Sequence, residues 1–164
     1  FYLTWKAREY GVTTRFIELA GEINTAMPAR VVRRVAEELD ALSSKGLNGS
    51  RILIIGMAYK KNVDDMRESP SLVLTELLNE RGAQVDYHDP LVPEIALTRE
   101  HPKLAGMKSI QFNAANIQSY DVALISTDHD EIDYEYLVEN SKLVVDTRNA
   151  TKQVAKNRER IVKA

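Results

Sequence analysis

Cysteine is absent from the sequence and glycine is scarce, and both shortages exclude classes of protein. The 164 residues contain no cysteine, so the chain carries no disulfide framework, no thiolate zinc ligand and no thiol nucleophile. This absence fits a reducing cytoplasm. The 7 glycines never form the GxGxxG spacing that cradles a dinucleotide. No apolar run approaches the roughly 20 residues that a membrane-spanning helix needs.

Charge of one sign is also lacking. Lys and Arg number 22 against 24 Asp and Glu, which gives a net charge of -2. No molecule-wide field therefore favours nucleic acid or an anionic membrane, and any anion site has to be local. The length suffices for one domain that buries roughly two-thirds of its unfolded surface. Because the chain starts at Phe1 rather than Met, we expect a piece of a longer protein.

The first part of the chain has helical periodicity. Apolar residues recur at helical spacing over Phe16–Ile23 and again over Val31–Leu42. We expect Pro28 to end or kink this pattern, and we assign residues 1–45 to a helical segment. The residues leave its role open, because such a helix can join another subunit or can pack on its own domain.

Beyond the segment, short apolar runs alternate with helical patterns. The predicted elements are strands at Ile52–Ile55, Gln84–Tyr87, Val122–Ser126 and Leu143–Asp146, with helices at Ser69–Arg81 and Tyr134–Asn140. Residues 93–112 give only a weak signal, for loops, a short helix and a marginal strand. Alternation of this kind implies right-handed crossovers. Residues 46–164 are therefore predicted to form an α/β domain with a doubly wound, mostly parallel sheet.

Cationic side chains follow two of the predicted strands. Ligands of open parallel sheets bind beyond the carboxyl ends of the strands. The segment after the first strand supplies Tyr59, Lys60, Lys61 and Arg67, and Arg148 follows the last. Arginine can grip a phosphate or carboxylate bidentately, and lysine acts as a mobile point charge. The residues are equally consistent with neutralisation of nearby carboxylates, and spacing alone does not decide between the two readings.

Arg67 needs a partner of its own. Asp65 and Glu68 lie near the start of a predicted helix, where carboxylates favourably meet the positive end of the helix dipole. Arg67 stands at the wrong end of that helix for a cation, so we expect it to contact a specific group.

The histidines do not predict a metal site. His88 and His129 stand beside an aspartate and His101 beside a glutamate, but no pair has the i, i+4 helical spacing of zinc ligands. We expect no metal, and we interpret these residues as polar groups of loops.

Three separated motifs lie along the chain: "FYLTWKAREYG" continuing to "ELAGEINTAMP", then "GMAYKKNVDDMRESP", then "VVDTRNAT". Together they resemble the UDP-glucose/GDP-mannose dehydrogenase family. The opening motif is most similar to the branch that acts on UDP-N-acetylhexosamines, in particular the UDP-N-acetylglucosamine 6-dehydrogenases of surface-polysaccharide biosynthesis. The resemblance implies an enzyme with an NAD-binding domain, a central dimerising helix and a C-terminal, Rossmann-like UDP-sugar-binding domain. Such enzymes oxidise the sugar C6 alcohol to a carboxylate in two NAD-dependent steps, through a cysteine-bound thiohemiacetal.

The resemblance also assigns roles to residues. It implies that Tyr59 and Lys60 contact the UDP-sugar, that Arg148 binds substrate and that Arg67 reaches the NAD held by the other domain. Thr147 stands where the family usually has glycine. The helix over residues 27–42 resembles the one that pairs subunits, so a homodimer is expected.

The resemblance further implies that the catalytic cysteine lies upstream of "FYL". The chain is then the C-terminal part of such an enzyme, with residues 1–45 in the central helical domain and residues 46–164 binding the UDP-sugar. No catalytic residue is assigned within it, and we expect it to be inactive alone. A dehydrogenase of UDP-N-acetylmannosamine, UDP-glucose or GDP-mannose remains open, as does a non-catalytic ligand-binding or dimerisation module.

Overall fold

The computed structural model describes residues 2–164. Its elements alternate as an α/β fold requires. The helices are α1 Tyr2–Glu9, α2 Arg15–Ser43, α3 Pro70–Glu80, α4 Ala114–Gln118 and α5 Tyr134–Asn140, and the strands are β1 Arg51–Ile55, β2 Gln84–His88, β3 Val122–Ile125, β4 Val144–Asp146 and β5 Ile161–Lys163. None of the helices within this range is long and apolar enough to cross a membrane.

All strands of the sheet are parallel and follow the order β2-β1-β3-β4-β5. The chain runs outwards from β1 to β2 and then crosses back to place β3 on the other side of β1, so the strand order reverses between β1 and β3. The predicted doubly wound, Rossmann-like α/β fold is thereby confirmed. The edge strand β5 was not predicted, because its three residues are only partly buried and give no apolar run.

Buried side chains cover both faces of the sheet. Ile52 and Ile54 point to the face covered by α2 and α3, whereas Leu53 and Ile55 point to the face covered by α4 and α5. Successive side chains of a strand alternate between faces. A strand buried on both faces therefore reads as a continuous apolar run, which is why β1 could be predicted from the sequence.

Helix α2 has two halves with different surroundings. The helix continues through Pro28, so the proline does not end it, and the alternative expectation of a kink remains a prediction. Val35 and Leu39, in the second half, are buried in the core shared with the sheet. In the first half Phe16 is 84% exposed and Ile23 is 55% exposed. The second half of α2 thus packs as part of the α/β core, and the division of the chain near residue 45 remains a prediction.

Candidate functional site

The reversal of strand order between β1 and β3 places the candidate site at the carboxyl ends of these strands. The β1 loop, which we define as residues 56–69, leaves β1 at this edge. Thr127, just after β3, donates its hydroxyl to the carbonyl of Ala58 at 2.7 Å. Arg148, after β4, donates its Nε to the carbonyl of Ser126 at 2.6 Å. Hydrogen bonds therefore bring segments after three strands together at one crevice.

Gly56 allows the chain to turn out of β1 directly against β3. Its φ is +86°, and a Cβ at this position would lie 2.4 Å from the carbonyl oxygen of Thr127. The Oγ of Ser71 lies 2.8 Å from the carbonyl oxygen of Gly56 and 2.7 Å from the Oγ of Ser126. The close approach fixes where the β1 loop starts, and it leaves no room for a side chain.

A buried carboxylate, that of Asp89 after β2, holds the first residues of the β1 loop. Its Oδ2 accepts the N–H groups of Met57 at 2.6 Å and Ala58 at 2.9 Å. Its Oδ1 accepts the N–H groups of Leu91 and Val92 at 2.8 and 3.0 Å. Buried charge is costly unless it is hydrogen-bonded, and these amides satisfy it.

His129 supplies a second anchor for the β1 loop and is completely buried. Its Nδ1 accepts the N–H of Asn62 at 3.0 Å, and its Nε2 lies 3.0 Å from Oδ2 of Asp89. Because Nδ1 acts as an acceptor, the ring proton is on Nε2, where it is donated to Asp89. Sequence reasoning missed the pair of Asp89 and His129, since its members are 40 positions apart. The only signal was that His88 and His129 each stand beside an aspartate.

The predicted UDP-sugar contacts lie on the exposed tip of the β1 loop. Tyr59 is 45% exposed, and Lys60 is exposed beside it. Within residues 2–164 the ammonium of Lys60 has neither a hydrogen-bond nor an ion-pair partner. This cation is therefore not used to neutralise a carboxylate of the described chain.

Arg148 is held in place while its charge stays accessible. Its Nε is bonded to Ser126, but its two terminal nitrogens contact no acceptor among the described residues. A guanidinium fixed in this way presents two parallel N–H donors, which is the arrangement that grips a phosphate or carboxylate bidentately.

A cleft of 340 Å³ lies beside Arg148, and Lys61 rather than Lys60 is among the residues that line it. The Nζ of Lys61 lies 2.5 Å from Oδ1 of Asp130. This hydrogen bond raises the pKa of Lys61. Lys61 therefore neutralises a carboxylate, as one of the two readings of the sequence had it, whereas Lys60 and Arg148 do not.

The Arg67 guanidinium contacts the carboxylate of Asp65, two positions earlier in the chain. Its Nε and Nη2 lie 3.0 and 2.6 Å from the carboxylate oxygens of Asp65. The hydrogen bonds from Arg67 lower the pKa of Asp65 to about 2. The Arg67 side chain is nevertheless 84% exposed, so it remains open to a group that approaches from outside.

Asp146 shapes the turn that carries Arg148. Its Oδ1 accepts the N–H of Arg148 at 2.9 Å, and its Oδ2 accepts the Thr151 hydroxyl and the Lys163 ammonium, both at 2.6 Å. Burial alone would raise the pKa of Asp146, but the hydrogen bonds from Lys163 and Thr151 outweigh it and lower the pKa to about 2. Thr147, in place of glycine, fits this turn and donates its hydroxyl to the Ile125 carbonyl at 2.8 Å.

Comparison with known proteins identifies the domain that carries this crevice. Residues 53–153 match the UDP binding domain of the UDP-glucose/GDP-mannose dehydrogenase family. The chain belongs to this family. The matched range contains the β1 loop, Asp89, His129 and Arg148, so the whole crevice lies inside the family's UDP binding domain.

Curated relatives and solved structures within the UDP-glucose/GDP-mannose dehydrogenase family agree with this assignment. A UDP-glucose 6-dehydrogenase of Haloferax volcanii is 30% identical over 145 residues, covering 87% of this chain and 31% of the relative. A UDP-N-acetyl-D-mannosamine dehydrogenase of Methanococcus maripaludis is 35% identical over 153 residues, covering 88% and 33%. The structure of a UDP-glucose dehydrogenase from Pyrobaculum islandicum superposes with a TM-score of 0.74 at 26% identity, covering 98% of this chain and 34% of that one. The chain thus spans about a third of the length of the curated relatives it matches.

Proposed function

We propose that the chain is the UDP-sugar-binding part of an NAD-dependent dehydrogenase that oxidises UDP-N-acetylglucosamine to UDP-N-acetylglucosaminuronate for surface-polysaccharide biosynthesis. The observation that carries the proposal is a pair of accessible cations in a UDP binding domain: Lys60 and the terminal nitrogens of Arg148 have no partner within residues 2–164. The homodimer and the cytoplasmic location that the sequence predicts remain predictions.

The proposed binding mode assigns each residue a task that suits its chemistry. Arg148 would grip one phosphate of the UDP diphosphate bidentately, because its Nε is already fixed on a backbone carbonyl. Lys60 would meet the diphosphate as a point charge from the tip of the β1 loop. Tyr59, with its half-exposed ring, would contact the nucleotide-sugar beside Lys60.

NAD enters this proposal as a cofactor bound mainly outside the chain. The β1 loop does not fit a dinucleotide cradle, because its one glycine, Gly56, is closed off by Thr127 and the following residues carry side chains. Arg67 is the described residue that would reach a cofactor held by another domain, since its side chain is 84% exposed. NAD would accept the hydride, and the residues of this chain would bind the UDP-sugar.

A UDP-N-acetylmannosamine or UDP-glucose substrate is the second candidate. The relatives of Methanococcus maripaludis and Haloferax volcanii carry these substrates in their names. The choice of UDP-N-acetylglucosamine depends on the resemblance of the opening motif. Turnover of the three UDP-sugars by the full-length parent decides between them, and preference for either alternative sugar would replace our choice.

The 164-residue chain alone should not turn over substrate. Covalent catalysis through a thiohemiacetal needs a thiolate, and the chain contains no cysteine. We expect no NADH when the chain is incubated with NAD and UDP-N-acetylglucosamine. NADH formation above the rate of a blank would contradict the proposed mechanism.

Calorimetric titration of the chain with UDP tests the binding proposal. We expect UDP to bind, and we expect Lys60→Ala or Arg148→Ala to weaken binding by about 1–3 kcal/mol, the usual contribution of a hydrogen bond to a charged group. Lys156→Ala is the control, because Lys156 is exposed but lies outside the crevice. If the unmodified chain gives no heat with UDP, the non-catalytic dimerisation module becomes the better description.

A further inference from the structure

The tripeptide Tyr59–Lys61 is fixed at both of its ends to one carboxylate. On one side the N–H of Ala58 is bonded directly to Oδ2 of Asp89. On the other side the N–H of Asn62 is bonded to His129, whose Nε2 contacts the same Oδ2. The backbone that carries the proposed UDP contacts therefore spans two fixed points that share a single buried anion.

Further contacts hold the same two points against the turn after β3. The carbonyl of Ala58 accepts the Thr127 hydroxyl at 2.7 Å. The side chain of Asn62 donates to Asp130 at 2.6 Å and accepts the N–H of Asp130 at 3.0 Å. Asn62 has a φ of +59°, a left-handed conformation that few residues other than glycine adopt without cost. The surrounding bonds keep the backbone in this conformation.

Between the fixed points the N–H of Tyr59 donates to the carbonyl of Asp65 at 2.8 Å, whereas the next two backbone amides have no partner among residues 2–164. The amides of Lys60 and Lys61 make no hydrogen bond with any of the described residues. The backbone on either side of these two amides is thus held by hydrogen bonds, whereas the amides themselves are not used within the described chain. This is the arrangement expected of a preorganised ligand contact, in which the cost of ordering is met before binding.

A purely structural role for His129 explains less of this geometry. An apolar side chain would fill the same buried volume without the cost of burying two ring nitrogens. Here one nitrogen is used on the backbone of the β1 loop and the other on the carboxylate that also holds the loop. The polar part of the imidazole acts on the loop, not on the hydrophobic core.

We propose that His129 is a positioning residue for UDP recognition, whose Nδ1 bond to the N–H of Asn62 holds Tyr59 and Lys60 in their binding arrangement. The proposal rests on the proposed function, because it assumes that these two residues contact UDP. Loss of the Asn62 link should lower UDP affinity roughly tenfold, the effect of about one hydrogen bond.

The test compares three variants that remove the Asn62 contact of His129, its Asp89 contact, or both. His129→Asn keeps an acceptor near the position of Nδ1 and should retain the Asn62 link. His129→Gln places its amide near Nε2, and so should keep only the contact with Asp89. His129→Leu removes both contacts. We expect UDP affinity close to that of the unmodified chain for the Asn variant and roughly tenfold losses for the Gln and Leu variants.

Two measurements make the outcomes distinguishable. Calorimetry gives UDP affinity, and amide hydrogen exchange at Asn62 reports the link in the absence of UDP. Exchange at Asn62 should accelerate in the Gln and Leu variants and be restored in the Asn variant. His101→Asn is the matched control. That histidine lines a cleft with Arg67, but its side chain is bonded to Glu76 at 2.8 Å and to neither Asn62 nor Asp89 among the described residues, so UDP affinity should stay unchanged.

Each result counts for or against the proposal. If the unmodified chain does not bind UDP, the proposed function fails, while the exchange data still decide whether His129 holds the loop. If the chain binds UDP and the Leu variant binds equally tightly, the positioning role is overturned. It is also overturned if all three variants lose affinity in proportion to their loss of thermal stability, or if exchange at Asn62 stays slow in the Leu variant.

Discussion

Gly56 has a left-handed backbone conformation and lies too close to Thr127 for a side chain. Its replacement measures the cost of the backbone strain and of the steric contact together. Gly56→Ala should lower the free energy of unfolding by about 2–5 kcal/mol, through about 1–2 kcal/mol of backbone strain and about 1–3 kcal/mol of overpacking against Thr127. Gly106→Ala is the matched control, since its φ is +84° and a Cβ there meets nothing within 4 Å. Urea denaturation measures both variants. Equal losses would show that the contact with Thr127 contributes nothing.

The crevice was only partly predictable at the residue scale. The sequence indicated Tyr59, Lys60, Arg67 and Arg148, because they stand directly after predicted strands or in a recognisable motif. It did not indicate that Asp89 and His129 hold the loop, since their contact depends on the order in which the strands pair. A side chain's neighbours across a parallel sheet are fixed by topology, and no local spacing encodes them.

The elements themselves followed from the sequence where their signals were strong. Helix α5 was predicted with its observed bounds. Helix α3 was predicted at Ser69–Arg81 and lies at Pro70–Glu80, where Ser69 caps it by accepting the N–H of Ser71. Of the two outcomes expected at Pro28, an end of the helix is excluded because the 29-residue helix α2 runs through it, whereas a kink remains a prediction. Helix α4 and strand β5 are too short to produce a periodic pattern.

The two halves of α2 should respond differently to truncation. Val35→Ala, at a residue with 0% exposure, should lower the free energy of unfolding by about 1–3 kcal/mol because it leaves a cavity. Phe16→Ala should change it by less than about 0.5 kcal/mol, since that side chain is 84% exposed. Thermal or urea denaturation of dilute chain distinguishes the two. Similar losses for both would mean that the first half is buried in solution.

The exposed half of α2 also bears on assembly. The predicted homodimer was assigned to residues 27–42, but Val35 and Leu39 of that stretch are buried in the core of this chain. Because large exposed apolar patches mark interaction surfaces, we expect a subunit contact to use the exposed first half of α2 instead. We expect the double variant Phe16→Ala and Ile23→Ala to shift the chain towards monomer in analytical ultracentrifugation. Dimers that persist in this variant would place the subunit contact on another surface.

At the scale of the whole molecule, Asp146 links the stability of the fold to pH. Its pKa is lowered from 3.8 to about 2 in the folded chain. A carboxyl group with a depressed folded pKa stabilises the fold above its unfolded pKa, and this contribution is lost as the pH falls through the folded value. Between about pH 5 and about pH 2 the loss amounts to about 2 kcal/mol.

Asp146→Asn should therefore flatten the acid limb of the stability curve. The variant is expected to be less stable than the unmodified chain near neutral pH, because Lys163 loses its partner. It should then lose about 2 kcal/mol less between about pH 5 and about pH 2. Urea unfolding at several pH values measures this difference. If the free energy of unfolding falls equally with pH in both proteins, the pKa of Asp146 is not lowered by folding.

Helix α2 is continuous, and its first half projects beyond the α/β core. A helix rises about 1.5 Å per residue, so the stretch from Arg15 to Pro28 extends roughly 20 Å beyond the half that packs on the sheet. A domain or subunit that packs on residues 15–28 would therefore be joined to the α/β core by one continuous helix, because the second half of that helix is buried among core side chains.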